Sequence, residues 1–218
     1  MAQGSADFTA KRNELIRGAA MLFKEKGYEA TTLKDIAECA GLDRSTIYYY
    51  IESKEEVFQE AVKGILYDNV AEAEHLVRLQ AIDPRERLRR LIERLMVSYE
   101  ESYPYMHVYI QQDMQKVADE NTPWAREMSR QTHRFEKAFM TLINEGIEQR
   151  VFRSDIPVSL AANAIFGMVN WTHRWHKPDG KQTAREIADA FCKIYFEGMQ
   201  EQKSPGPSSL RRNTRADD

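Results

Sequence analysis

The sequence contains few of the residues that break helices or cross-link small secreted folds. Glycine occurs 10 times and proline 7 times in 218 residues, and cysteine occurs only twice. Cys39 and Cys192 lie far apart and form no Cys-x-x-Cys pair, which argues against a disulfide scaffold or a cysteine-based zinc site. We therefore expect a reducing compartment, the cytoplasm, and no bound metal or cofactor.

Long apolar runs and a one-sided charge balance are also missing. No segment approaches the roughly 18 consecutive apolar residues that would span a bilayer. Residues 1–7 lack the apolar core of a secretory signal, so no such leader is expected. Lysine and arginine number 31 against 34 aspartates and glutamates, which gives a net charge of −3. Nucleic-acid binding is not excluded, because it requires a basic face and not a basic total.

Helix signals recur along the whole chain. A first helix is expected from about Ala10 to Lys26, where apolar residues recur at helical spacing. Ser53–Glu56 and Thr183–Glu186 have the form of capping boxes, which begin helices. Strand signals are weak, since no Asn-Gly or Asp-Gly turn separates two alternating apolar runs. The sequence predicts an all-α fold with a disordered tail over residues 203–218.

The most informative stretch, residues 31–54, contains two short predicted helices joined by a three-residue connector. Thr32 can cap the first of them. The connector, residues 41–43, contains Gly41, and short connectors with glycine are typical of helix-turn-helix motifs. We expect the small residues Ala37 and Gly41 to let the two helices cross closely.

The second of these helices leaves polar and aromatic residues outside a small shared core. Arginine can make two hydrogen bonds to a guanine edge, threonine offers a hydroxyl and a methyl, and tyrosine carries a hydroxyl on an apolar ring. The amides that begin the next helix, together with Lys54, could bind phosphate. Ordinary packing is the alternative, although consecutive tyrosines spread over about 200° of a helix and cannot all face one core. The outward residues are Arg44, Ser45, Thr46, Tyr48, Tyr49 and Tyr50.

This stretch resembles the DNA-binding domain of the TetR family of bacterial transcriptional repressors. The matching segments are Thr31–Ala37, Ala40–Leu42, Ser45–Ile51 and Ser53–Glu55. The resemblance implies a DNA-binding domain over residues 1–54 and a ligand-binding and dimerisation domain over residues 55–202. It implies base contacts by Arg44, Thr46 and Tyr48, phosphate contacts by Thr32, Tyr49, Tyr50 and Lys54, and either role for Lys34.

The same resemblance implies a two-fold dimer on a palindromic operator, released by a small-molecule inducer. The last two helices are the candidates for the dimer surface, because the family pairs them with their mates as a four-helix bundle. The alternative is that their apolar faces only pack within the protomer. These faces comprise Leu160, Ala161, Ala164, Ile165, Met168 and Val169 in the first helix, and Ile187, Ala190, Phe191, Ile194, Tyr195 and Gly198 in the second.

Aromatic residues and methionines concentrate between residues 99 and 175. They could line an apolar inducer cavity with a few polar tips, as the resemblance implies, or they could form ordinary core. The residues proposed to bind a ligand are Tyr99, Tyr103, Met106, Tyr109, Phe135, Phe139, Phe166, Asn170, Trp171, Arg174 and Trp175. Met114 belongs to the same region.

Residues 170–180 resemble the corresponding segment of TetR-type regulators of fatty-acid, steroid or other acyl-CoA catabolism. Arg174 and Lys177 lie close to two tryptophans in sequence and would suit an anionic ligand. A guanidinium can hold phosphate or carboxylate oxygens in a fork, and an indole ring can stack on adenine or cover an acyl chain. Arg174 could instead only cap a helix C-terminus, where the helix dipole favours a cation. The expected inducer is an acyl-CoA or similar anionic amphiphile, or another apolar small molecule.

Other functions have weaker signals. His173 and His176 could form one edge of a metal site, but no nearby cysteine completes it. The arginine-rich run at residues 85–90 is typical of a solvated helix face. An all-α enzyme and a helical adaptor without DNA binding stay open as alternatives. The enzyme would need a positioned nucleophile or base, and the adaptor would give no salt-dependent gel shift.

Overall fold

A computed structural model describes residues 2–111 and 122–200, and these ranges are almost wholly helical. The helices are α1 (Ala2–Lys26), α2 (Leu33–Cys39), α3 (Arg44–Tyr50), α4 (Lys54–Arg78), α5 (Pro84–Glu101), α6 (Tyr105–Gln111), α7 (Pro123–Glu148), α8 (Val158–Trp171) and α9 (Ala184–Met199). No strand occurs in these ranges, although an isolated antiparallel bridge joins Phe152 to Gln200. The predicted all-α fold is confirmed.

Side-chain caps determine where helices α2, α3 and α4 begin. The Thr32 hydroxyl accepts the Asp35 amide, and the Asp35 carboxylate accepts the Thr32 amide, which completes a capping box. Asp43 caps α3 and Ser53 caps α4 in the same way, by accepting amides of the first turn. Each cap supplies a partner to amides that have none within the helix.

One helix end differs from the sequence prediction. Helix α1 begins at Ala2 and not near Ala10, and Phe8 in the added turns packs against Tyr50 of α3. This tertiary contact is invisible to local periodicity. Helix α6 is described as far as Gln111, and residues 203–218, where a tail is predicted, lie outside the described residues.

Gly41 has a different role from the one expected. Its φ is +66°, in the left-handed region, and a Cβ atom built there would meet nothing within 4 Å. The turn between α2 and α3 therefore requires glycine for its backbone conformation and not for close helix crossing. Ala37 is fully buried beneath this turn, which fits its predicted place between the helices.

The helices enclose two apolar cores. One joins α1, α2, α3, the first half of α4, α6 and the start of α7, and it includes Phe23, Ile36 and Ile47. The other joins α5, α7, α8 and α9, and it includes Leu91 and Phe139. Helices α4 and α7 contribute to both cores, so two continuous helices connect the two parts of the molecule. No helix of residues 2–111 and 122–200 combines the length and apolar character needed to cross a membrane.

One residue of the arginine-rich run is buried, contrary to expectation. The Arg87 side chain is 1% exposed, donates to the Val77 carbonyl at 2.9 Å and pairs with the Glu145 carboxylate. It thereby joins the last turns of α4 to α5 and α7. Arg89 and Arg90 pair with Glu86 at the helix surface, as a solvated face predicts.

Candidate DNA-binding surface and ligand cavity

Helix α3 separates a buried face from an exposed one within seven residues. Ile47 is fully buried, whereas Tyr48 is 52% and Tyr49 71% exposed. Arg44 is exposed in the first turn, and Tyr50 is half-buried. The guanidinium and two of the three tyrosines therefore lie on the outside, where the helix-turn-helix interpretation requires them. Their contacts with DNA stay a prediction.

Asp43 organises the two hydroxyl residues of α3. The Ser45 and Thr46 hydroxyls donate to its carboxylate at 2.5 and 2.7 Å, and the backbone amides of both residues donate as well. These hydrogen bonds hold the pKa of Asp43 well below its usual range, so it is ionised at neutral pH. In this arrangement, the hydroxyl protons of Ser45 and Thr46 are engaged by Asp43, so each hydroxyl oxygen can act only as an acceptor toward a further partner. This second role of Asp43, as acceptor for two side-chain hydroxyls, was missed by sequence reasoning.

The predicted phosphate-binding residues differ in whether their polar groups already have partners within the protein. Lys34 is exposed. The Thr32 hydroxyl donates to Asp35 at 2.6 Å, which leaves its lone pairs for the cap. The Lys54 ammonium donates to the Tyr28 carbonyl at 2.8 Å and lies 4.3 Å from the centre of the Tyr28 ring. Lys54 therefore braces the loop before α2, and a phosphate would have to share its ammonium with that carbonyl.

A cavity of about 180 Å³ lies among helices α4 to α8. The ligand residues predicted from sequence that line it are Tyr99, Met106, Tyr109, Phe135, Phe166 and Asn170. Sequence reasoning missed Leu66, Asn69, Leu95, Ile110, Thr132, Glu136 and Asn163. The missed residues are aliphatic or polar, and no composition signal distinguishes them from other helical residues. Met114 lies outside the described residues.

The polar groups around the cavity come from several helices. The Tyr99 hydroxyl donates to Asn170 Oδ1 at 2.7 Å, which links α5 to α8. Burial raises the pKa of Tyr99, so the hydroxyl keeps its proton. Asn69, on α4, is 3% exposed and its amide nitrogen donates to the Ser98 hydroxyl at 2.9 Å. Asn69 Oδ1 has no hydrogen-bond partner among the described residues.

Phe139 does not line the cavity. It is fully buried in the core behind the cavity wall. Its ring centre lies 5.2 Å from that of Phe135 and 4.9 Å from that of Phe166, both of which do line the cavity. Phe139 therefore supports the wall, which corrects its predicted place among the ligand contacts.

Other predicted ligand residues lie in a separate, more open groove of about 720 Å³. The groove is lined by Tyr103, His107, Ile110, His173, Arg174, Trp175, His176 and Lys177. The Arg174 guanidinium lies 4.5 Å from the Trp171 ring centre, beside this groove. Ile110 lines both the groove and the cavity, so the two spaces are neighbours. The sequence grouped their residues into one pocket, and the structure divides them into two.

Three histidines, His107, His173 and His176, line the groove. The ring centres of His107 and His173 are 5.9 Å apart. Burial, followed by the proximity of His173, lowers the pKa of His107, so its neutral form is favoured at pH 7. Within residues 2–111 and 122–200, no three His, Cys, Asp or Glu residues are arranged to hold a metal ion.

The apolar faces of α8 and α9 are divided between core and surface. Ala161, Ile165 and Val169 are buried within the protomer, as the packing alternative held. On the opposite side, Leu160 is 59% and Ile194 is 65% exposed. Gly167 and Gly198 also face open space, since a Cβ atom at either would meet nothing within 4 Å. An outer apolar stripe with small residues therefore remains uncovered in the protomer.

Comparison with known proteins agrees with this architecture. Residues 15–61 match the family described as "Bacterial regulatory proteins, tetR family", and residues 81–199 match "Tetracyclin repressor-like, C-terminal domain". The HTH-type transcriptional repressor KstR2 of Rhodococcus jostii is 29% identical over 191 residues, which cover 88% of this chain and 92% of that protein.

Two solved structures are similar over nearly the whole chain. The TetR family regulator PfmR from Thermus thermophilus has a TM-score of 0.74 at 34% identity and covers 86% of this chain and 99% of its own. The ketosteroid transcriptional regulator KstR2 of Mycobacterium tuberculosis has a TM-score of 0.76 at 29% identity and covers 88% of this chain and 95% of its own. Such relatives are repressors and not enzymes, so the enzyme alternative is set aside. The chain belongs to the TetR family and is a transcriptional repressor of that family.

Proposed function

We propose that this repressor binds a palindromic operator as a two-fold dimer and is released by an anionic amphiphile, an acyl-CoA or a similar compound. The observation that carries the proposal is the continuity of α4. This helix begins at Lys54, beside the DNA-binding surface, and its residues Leu66 and Asn69 line the cavity. A ligand in the cavity can therefore favour one placement of the DNA-binding region over another, by its difference in affinity for the two states.

The exposed face of α3 supports the operator contact. In the proposed complex, α3 enters the major groove and Arg44, Thr46 and Tyr48 contact bases. Thr32, Tyr49, Tyr50 and Lys54 would contact phosphates, and Lys34 could do either. The side chain of Ser45 would contribute its hydroxyl oxygen at the same face.

The outer stripe of α8 and α9 supports the dimer. Leu160 and Ile194 are large apolar residues exposed on helices that the family pairs across a two-fold axis. Gly167 and Gly198 would let the helices of the partner approach closely. In the proposed dimer, the two copies of α3 would bind one face of the duplex about one helical turn apart, the spacing at which dimers of this kind read two half-sites.

The two neighbouring spaces support the proposed ligand class. The cavity is smaller than the roughly 300–1,000 Å³ of typical ligand pockets, so it suits the apolar end of a longer molecule. Arg174 and Lys177 in the adjoining groove would bind the anionic end, and the indole of Trp175 would cover it. A relative named a ketosteroid regulator is consistent with an acyl or steroid-derived apolar part.

The test is fluorescence anisotropy of a labelled duplex taken from upstream of the repressor's own gene, titrated with the protein at several salt concentrations. We expect sequence-dependent binding that weakens steeply with salt. A panel of acyl-CoAs should then release the duplex, whereas free coenzyme A should not. A response to no acyl-CoA would contradict the ligand class, and the absence of any salt-dependent binding would contradict the operator contact.

A further inference from the structure

Phe8, near the start of α1, contacts two tyrosines of α3. We propose that Phe8 is a positioning residue, which holds Tyr49 and Tyr50 in the orientation that binds the phosphate backbone. This inference rests on the proposed operator contact of α3. It assigns to the first turns of α1 a part in DNA binding that the helix-turn-helix motif does not include.

The three rings form a closed cluster. The Phe8 and Tyr50 rings are stacked, with centres 5.2 Å apart and planes inclined by 25°. The Tyr49 ring meets the edge of Phe8, with centres 5.4 Å apart and planes at 86°. Tyr49 and Tyr50 contact each other at 5.1 Å, also edge to face. In all three ring pairs, the centre-to-centre distance and the interplanar angle are ones that aromatic pairs prefer.

Phe8 is held in place by its neighbours on α1. The Lys11 ammonium donates to the Ala40 carbonyl at 3.3 Å, at the end of α2. The Arg12 guanidinium donates to the Glu56 carboxylate at 2.6 Å, in the first turn of α4. The segment from Phe8 to Arg12 therefore contacts α2, α3 and α4, so Phe8 is part of a fixed platform and not of a loose arm.

This platform matters because Tyr49 is otherwise poorly restrained. Its side chain is exposed to 71%. An exposed side chain loses rotamer freedom when it binds, and that loss weakens association. A Tyr49 ring that is already packed against Phe8 loses less rotamer entropy on binding. Its hydroxyl is then oriented toward a phosphate already in the DNA-free protein. Phosphate contacts carry no sequence information, so the effect of Phe8 should be the same on every duplex.

The first experiment compares Phe8→Ala, Phe8→Leu and Phe8→Tyr by anisotropy on the operator and on an unrelated duplex. We expect Phe8→Ala and Phe8→Leu to weaken binding to both duplexes about 3- to 10-fold. Phe8→Tyr keeps the ring and should stay within about twofold of wild type. The matched control is Met21→Ala, which removes another exposed apolar side chain of α1 and should change nothing. Full binding by Phe8→Ala, or equal loss in Phe8→Tyr, overturns the proposal.

A double-mutant cycle separates positioning from a general effect on the fold. In a Tyr49→Phe, Tyr50→Phe background the hydroxyls are absent, so Phe8→Ala should weaken binding less than about twofold further. The same loss in both backgrounds would mean that Phe8 does not act through the tyrosines, and would overturn the proposal.

The ring cluster can also be tested without DNA. Fluorine resonances of protein labelled with 3-fluorotyrosine should shift at Tyr49 and Tyr50 in Phe8→Leu and stay unchanged in Met21→Ala. Unshifted resonances overturn the proposal even if the operator is never found. Conversely, shifted resonances in a protein that binds no duplex would contradict the proposed function and leave the ring contacts supported.

Discussion

The two ends of this repressor are built in opposite ways. The proposed DNA-binding residues lie on the protein surface, and α3, a helix of seven residues, supplies most of them. The proposed ligand-binding residues line an internal cavity, and helices α4 to α8 each supply part of its wall. A substitution on α3 should therefore alter one contact, whereas a substitution around the cavity alters packing as well. The predictions below use this difference.

The largest effect should come from the core behind the cavity. Phe139→Ala removes a fully buried ring and should lower the free energy of unfolding by about 3–5 kcal/mol. Trp175→Ala, at an exposed position of the same predicted ligand set, should lower it by less than about 0.5 kcal/mol. Urea denaturation of both variants measures the difference. Equal losses would mean that the groove and the cavity wall form one packed unit.

On the DNA-binding surface, Arg44→Ala should weaken operator binding by about 1–3 kcal/mol and relax the sequence preference at one base position. Its free energy of unfolding should not change, because the side chain is exposed. Competition anisotropy with single-base variants of the operator measures both effects. Lys181→Ala, which removes an exposed cation outside the helix-turn-helix region, is the matched control. Unchanged affinity would contradict the assignment of α3 as the recognition helix.

In the groove, Arg174→Ala should raise the acyl-CoA concentration needed for release. The loss of one charge-assisted contact at an exposed site is worth about 1–2 kcal/mol, or roughly 5- to 30-fold. Operator affinity without ligand should stay at the wild-type value. An equal loss for a neutral methyl ester of the same acyl chain would show that Arg174 does not bind the anion.

The smallest effect concerns the two thiols, one in each half. Cys39 is exposed on α2, whereas Cys192 is buried in the second core, where burial raises its pKa to about 12. Because the thiolate is the reactive form, Cys192 should resist alkylation at pH 7. Iodoacetamide followed by peptide mass spectrometry should find Cys39 modified and Cys192 intact, with no change in the thermal unfolding midpoint. Rapid modification of Cys192 would indicate that the second core opens readily.

The contrast between the ends also explains how far the sequence could predict them. The residues of α3 are consecutive, so helical geometry alone separates Ile47 from Tyr48 and Tyr49. The cavity wall depends on how α4 to α8 cross, which no local spacing encodes. Aromatic richness pointed to Tyr99 and Phe166, which line the cavity, but it also pointed to the core residue Phe139 and gave no sign of Asn69. The burial of Arg87 was missed for the same reason, since its partners Val77 and Glu145 come from other helices.

Arg87 has a mechanical consequence for α4. Its guanidinium holds the Val77 carbonyl at 2.9 Å and, through Glu145, couples that end of the helix to α7. A helix that tilts about one of its ends is displaced most at its other end. Lys54 lies about 35 Å along the helix from this anchor, so a tilt of about 5° would displace it by about 3 Å. If the buried ion pair holds its end of α4 fixed, a tilt of the helix would displace the Lys54 end most, and that is the end that the proposed operator contact uses.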